Sequence, residues 1–188
     1  MKMSPAAKMV IVLTAVGVIS GWTLAMVYKG AAPKIEKQRL KTLKAAIFTV
    51  LPQAKSYRTE KKDGLVLYRG LDGEGKPVGI AFKVEGPGFQ AKIYLMVGLD
   101  NRLEKLLGMQ VLESVETPGL GGNITTPEFK DQFKGLVIKP RITYIKNRNP
   151  ATPKKPGQID AITGATISSK AVVDMINKGI AKVLKVLQ

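Results

Sequence analysis

Residues 64–113 read GLVLYRGLDGEGKPVGIAFKVEGPGFQAKIYLMVGLDNRLEKLLGMQVLE, and the turns inside this run decide the fold. Four segments rich in Val, Ile, Leu, Tyr and Phe, at Gly64–Leu71, Pro77–Glu85, Gln90–Leu99 and Leu103–Glu113, are separated by Asp72-Gly73-Glu74-Gly75, Gly86-Pro87-Gly88 and Asp100-Asn101. Breaks this short suit β-hairpins, whereas a parallel crossover needs about a dozen residues or more. The run therefore predicts an antiparallel meander. With helical patterns on both sides of it, the chain reads as α+β.

Downstream, Glu128–Lys134 predicts a short helix, Arg141–Lys146 a further strand, and residues 147–157 a Pro- and Lys-rich loop. Then comes Asp160-Ala161-Ile162-Thr163-Gly164-Ala165-Thr166-Ile167-Ser168-Ser169. Beyond it Val173, Ile176, Ile180, Val183, Leu184 and Leu187 recur on one helical face, so an amphipathic helix begins near Thr166. The first backbone N–H groups of a helix lack carbonyl partners and carry the positive end of its dipole. Two readings stay open on the residues alone. Thr166 with Ser169, or Ser168 by itself, caps the helix, or the N-terminus receives a phosphate that Gly164 and Ala165 allow to come close.

Upstream, Pro33–Leu51 places Ile35, Leu40, Leu43, Ile47 and Phe48 among charged residues, an amphipathic helix ending at Pro52 and continuing from the segment before it. That segment, Met9–Tyr28, reads MVIVLTAVGVISGWTLAMVY without a charge. As a helix it rises about 30 Å, the thickness of a bilayer core. Trp22 and Tyr28 sit where an interfacial belt belongs, Lys8 and Lys29 bracket the span, and Gly17 and Gly21 offer a surface for packing against another membrane helix. A cleaved signal peptide is the competing reading, but the run exceeds a usual signal core and lacks an Ala-x-Ala site before Lys29. The expected organisation is a tail over 1–8, a single transmembrane helix over 9–28, a juxtamembrane helix and linker over 29–59, and one domain over 60–188.

What is missing narrows the chemistry. Among 188 residues there is no Cys and no His, which removes disulfides, iron-sulfur clusters, Cys/His zinc sites, His-ligated haem and histidine-dependent triads. No metal site and no catalytic residue is assigned, and a redox role would need an organic cofactor. The net charge of +16 does not point to nucleic acid, because the basic residues are scattered and no nucleic-acid-binding motif accompanies them. Lys29, Lys34, Lys37, Arg39, Lys41 and Lys44 follow the apolar span directly, as attraction to anionic headgroups would have it; a basic surface that keeps the domain soluble is the alternative.

The segment Asp160 to Thr166 resembles the flavinylation motif, Asp-x-x-(Ser/Thr)-Gly-Ala-Thr, of the FMN-binding domain family found in the Rnf and Na+-translocating NADH:quinone oxidoreductase complexes. Glu116-Thr117-Pro118-Gly119-Leu120-Gly121-Gly122, followed by Phe129 and Phe133, resembles the family's Glu-Thr-Pro-Gly-Leu-Gly loop. The resemblance covers residues 60 to 188. It implies an FMN joined by a phosphoester to Thr166, with Thr163, Gly164 and Ala165 as its setting and Thr117, Leu120 and Gly121 near the isoalloxazine ring. Asp160 would order the loop or assist recognition by a flavin transferase. Where the family has a Gly-Tyr-Gly-like turn this chain has Phe89, for which core packing is the expected role.

The resemblance further implies an electron-carrier subunit without turnover of its own, in a complex passing electrons between ferredoxin and NAD+ with Na+ or H+ movement. Its partners would be the other integral-membrane, iron-sulfur and flavin subunits, together with the transferase during maturation. Short length and the Ile-Thr-Gly-Ala-Thr-Ile-Ser-Ser wording look more like the G subunits of Rnf complexes than the longer C subunits of the quinone reductase. A cofactor-free, basic, membrane-anchored binding module is the alternative from another class. On orientation, the lysines after the span favour a cytoplasmic domain, whereas the family has its flavin domain outside the cytoplasmic membrane. Because a long following domain is exported with little regard to charge, the extracytoplasmic placement is the expectation.

Overall fold

The computed structural model describes residues 4–149 and 151–187; Met1 to Met3 of the expected tail lie outside the described residues, as do Pro150 and Gln188. The chain divides into two compact units, Met1–Thr42 and Leu43–Gln188. Helix α1 runs from Pro5 to Val50. The Ser4 hydroxyl accepts the Ala7 N–H at 3.2 Å and Pro5 takes the first helical position, where its missing N–H costs nothing. The helix passes through Pro33 without a break and ends two residues before Pro52. Its N-terminal part is the one helix among the described residues long and apolar enough to cross a membrane. Ile35 and Leu40, expected on a buried stripe, are exposed, and burial begins in the last turns with Ala46, Ile47 and Val50.

The meander forms as expected and gains a strand. β1 (Ser56–Lys62), β2 (Leu65–Leu71), β3 (Pro77–Pro87), β4 (Lys92–Asp100) and β5 (Leu106–Glu113) pair antiparallel in chain order. β1 covers the last four residues of the expected linker and the first three of the expected domain. It is an edge strand with no buried residue, so nothing imposes apolar alternation on it. Its charged side chains also discourage pairing with another chain. Glu60 receives a two-pronged bond from Arg69, at 2.7 and 3.2 Å, and that guanidinium holds its carboxyl below the usual range. The turn from β1 into β2 is Asp63-Gly64, with φ of 45° and 77°, as a two-residue hairpin of this twist requires.

β4 lies buried between two layers. Ile93, Leu95, Val97 and Leu99 join Phe82 and Val84 of β3 in a core closed by Val172, Val173, Ile176, Ile180 and Val183 of α3 (Thr166–Leu187). On the other face Met96 and Ala81 meet Ala46, Ile47 and Val50 at the end of α1. Gly179 lets α3 seat closely on β3, since a Cβ there would come within 2.9 Å of Phe82 Cε2 and overlap Val84. After β5 come a 3₁₀ turn (Gly121–Thr125), α2 (Pro127–Lys130) and a second 3₁₀ turn over Asp131–Phe133. Phe129 and Phe133 pack edge to face at 5.4 Å inside the core. β6 (Thr143–Ile145) pairs in parallel with β7 (Gln158–Asp160), and β7 delivers the chain to α3. β7 leaves no mark in the sequence, because three residues carry no periodicity.

Candidate functional site

Three segments far apart in sequence meet at the first turn of α3, and a buried carboxylate joins them. Glu116 is 7% exposed. Its Oε1 accepts the backbone N–H groups of Phe89 (2.8 Å) and Gln90 (3.0 Å), while its Oε2 accepts the Ser168 hydroxyl at 2.5 Å. Burying a carboxylate is costly unless donors replace its water, and these three donors do so. The packing leaves no room for side chains beside it. A Cβ on Gly121 would fall 2.6 Å from Ser168 Oγ and overlap Glu116 Oε2; one on Gly88 would overlap Oε1 and reach 2.7 Å from Ile93 Cδ1.

The 116–122 loop folds on the Thr117 carbonyl, which accepts from Leu120 (3.2 Å) and Gly122 (2.9 Å). Thr117 thus acts through its backbone, while Gly121 lies against the Glu116–Ser168 bond. Gly164 has φ 78°, and a Cβ on it would sit 3.2 Å from Leu120 Cδ2, so the two sequence motifs touch. Thr163 and Gly164 are exposed, Ala165 is buried, and Thr166 is half-buried at the first residue of α3.

Two of the hydroxyls that the sequence offers as caps, those of Ser168 and Ser169, are engaged elsewhere. Ser168 is bonded to Glu116, while Ser169 Oγ donates to the Ala165 carbonyl at 3.1 Å and accepts the Ile162 N–H at 3.0 Å. The Ser169 N–H makes the first backbone bond of the helix, to Ala165 at 3.1 Å. Among the described residues Thr166 Oγ1 has no hydrogen-bond partner, and it stands beside the positive end of a 22-residue helix.

Asp160 is held by cations. Its carboxylate takes two bonds from Arg148, at 2.7 and 3.1 Å, and lies 3.3 Å from Lys154 Nζ. The Arg148 guanidinium, helped by Lys154, holds the Asp160 carboxyl below its usual range. Gln132 accepts the Asp160 N–H at 2.7 Å and donates to its carbonyl at 3.2 Å. The clasp ties Arg148 and Lys154 of the 147–157 loop to β7.

Phe89 departs from expectation. It is not core but 64% exposed. The reason is the turn it occupies: Gly88 N–H bonds the Ala91 carbonyl at 2.8 Å, and the Phe89 and Gln90 amides are drawn to the Glu116 carboxylate, leaving the ring to solvent. Val115 (62%), Leu120 (47%) and Ile167 (58%) are exposed apolar residues on the neighbouring segments. Sequence reasoning missed Glu116, Ser168, Arg148, Lys154 and Gln132 as organisers of the site. Glu116 and Ser168 stand 52 residues apart, and only the place of Glu116 at the head of its motif marked it.

A family profile described as the FMN-binding domain matches residues 88–181, which contain all three converging segments. The chain is 32% identical over 181 residues to the G subunit of the ion-translocating oxidoreductase complex of Methanosarcina acetivorans, covering 92% of each chain. It is 28% identical to the G subunit of the Na+-translocating ferredoxin:NAD+ oxidoreductase complex of Acetobacterium woodii, over 92% of this chain and 89% of that one. The crystal structure of the C subunit of the Na+-translocating NADH-quinone reductase from Parabacteroides distasonis superposes with a TM-score of 0.54 at 24% identity, covering 66% of this chain and 62% of that one. That likeness bears on the fold.

Proposed function

Because this chain belongs to the FMN-binding domain family, alongside the G subunits of ion-translocating oxidoreductase complexes, we propose that it is the membrane-anchored, FMN-carrying electron-transfer subunit of an Rnf-type complex. Such a complex couples electron flow between ferredoxin and NAD+ to Na+ or H+ translocation, and the other subunits are the partners of this one.

The observation that carries the site assignment is the unpartnered hydroxyl of Thr166 at the mouth of α3, while Ser168 and Ser169 are both committed to the protein. A phosphate on Thr166 Oγ1 would meet the free N–H groups of the first helical turn and the helix dipole. Gly164, with no side chain, and exposed Thr163 leave the approach open, and Leu120 offers an apolar contact to a flat ring. The residues present therefore fit FMN: Thr166 would hold it covalently, Thr163, Gly164 and Ala165 would frame the phosphate, and Thr117, Leu120 and Gly121 would lie toward the ring.

Attachment requires a flavin transferase with FAD as donor. Thr166 Oγ1 would bond to the phosphorus of the FMN half as the pyrophosphate bond to AMP breaks, and the hydroxyl proton would leave with AMP. Once bound, the flavin supplies reversible electron uptake and release. The chain's own contribution is to retain and orient it. Asp160, clasped by Arg148 and Lys154, holds the approach to the motif in one conformation.

The apolar segment of α1 is long enough to anchor the chain with a single span, and in this reading the flavin domain lies on the extracytoplasmic side. A reporter fused after Gln188 should be active outside the cytoplasm and silent inside. Chain expressed with the transferase should give a band on a denaturing gel that fluoresces under ultraviolet light and vanishes in Thr166→Val. A dark wild-type band from such cells contradicts the reading.

A further inference from the structure

We propose that Glu116 is a positioning residue for the flavin, and that through it the Phe89 ring becomes a wall of the flavin site. The inference rests on the reading of Thr166 as the attachment residue. One carboxylate spans the two elements involved. Oε1 holds the Phe89 and Gln90 amides, and Oε2 holds Ser168, which lies in the first turn of α3, two residues after Thr166. The turn that carries Phe89 and the helix that begins at Thr166 are thereby fixed to each other by a side chain from a third segment, although 79 positions separate Phe89 from Ser168 in the sequence.

The exposure of Phe89 gives the latch a purpose beyond stability. A phenyl ring 64% open to solvent contributes little to folding, yet its two adjoining amides are pinned to a buried carboxylate. Leu120 lies beside Gly164, and Ile167 follows Thr166 directly, so each of the three segments that converge on Glu116 carries an exposed apolar side chain. Gly88 and Gly121 keep the carboxylate in place, since a Cβ on either would collide with it. Aromatic and aliphatic side chains at fixed positions around a phosphate anchor are what a flat, apolar ring with an anionic tail requires.

The test uses the full chain in detergent, produced with the transferase. Three quantities are read: gel fluorescence for attachment, visible circular dichroism and fluorescence anisotropy for how the flavin is held, and hydrogen exchange of the Phe89 and Gln90 amides for the latch. Phe89→Ala should keep attachment and amide protection but lose most of the visible dichroism and lower the anisotropy. Glu116→Ala should lose amide protection together with the same flavin signal, and Glu116→Gln should restore both, because the amide oxygen still accepts the two N–H groups. Phe89→Ala combined with Glu116→Ala should change the flavin signal no further than either alone.

A fluorescent chain whose flavin signal is untouched by Phe89→Ala overturns the inference and leaves the attachment reading standing. Unprotected Phe89 and Gln90 amides in the wild type overturn it as well. A dark wild-type band overturns the attachment reading and the inference together. If Glu116→Ala does not fold, Phe89→Ala and the wild-type exchange pattern still decide, since that ring lies outside the core.

Discussion

Each of the two motifs opens on a carboxylate, and the two are held in opposite ways. Glu116 is buried and bonded to neutral donors, two backbone amides and a hydroxyl, drawn from segments on either side of it in sequence. Asp160 is partly open to solvent and bonded to cations, Arg148 and Lys154, from the loop just before it. The first arrangement fixes distant segments with short dipolar bonds that salt barely reaches. The second orders a local loop with charges that water and ions screen. One carboxylate builds the site, and the other tidies its entrance.

The largest effect expected from this contrast is that of Glu116→Ala. It removes the acceptor of two amides and of the buried Ser168 hydroxyl, a loss of about 2–4 kcal/mol, which corresponds to a fall in Tm on the order of 10 °C. Thermal unfolding of the detergent-solubilised chain would measure it, and a fall of only a degree or two would remove Glu116 from the centre of the site. Ser168→Ala should cost less, about 1–2 kcal/mol, because one of the three donors is lost and the amides keep theirs.

Salt should divide the two carboxylates. At about 1 M ionic strength the Debye length shrinks to about 3 Å, so the Asp160 clasp loosens and Lys154 and Lys155 become easier to cleave. Protection of the Phe89 and Gln90 amides should stay as it was at low salt. Equal sensitivity of both regions would erase the distinction.

Acid should also loosen the Asp160 clasp, with a smaller effect than salt. Arg148 lowers the Asp160 carboxyl from its usual value of 3.8, so the clasp stabilises fully above that value and weakens as pH falls through the lower value in the folded state. Loop cleavage should therefore rise below about pH 4 and not between pH 5 and 8, and Asp160→Asn should show the raised cleavage at every pH. A step near neutrality would contradict the assignment.

How much of this was legible follows from the range of each signal. α3 announced itself because Val173, Ile176, Ile180 and Val183 repeat on one face, and that face is the buried one. β2 to β5 were legible because Gly, Pro and Asp punctuate apolar runs. β1 was not, since an exposed edge strand of Arg, Glu and Lys has no pattern to show, and Gly64 of its turn reads in sequence as the start of the next strand. Phe89 was misplaced because hydrophobicity says what a ring prefers, whereas its two neighbouring amides, tied to Glu116, decide where it goes. The Glu116–Ser168 bond was beyond reach, since only the fold brings the pair together.

The central claim, that Thr166 is where FMN is tied, is tested most directly by mass analysis of the proteolytic fragment carrying both Thr163 and Thr166, taken from chain matured by the transferase. Fragmentation should locate one FMN phosphoryl addition on Thr166, retained in Thr163→Val and absent in Thr166→Val. An addition located on Thr163, or one that survives Thr166→Val, would contradict it.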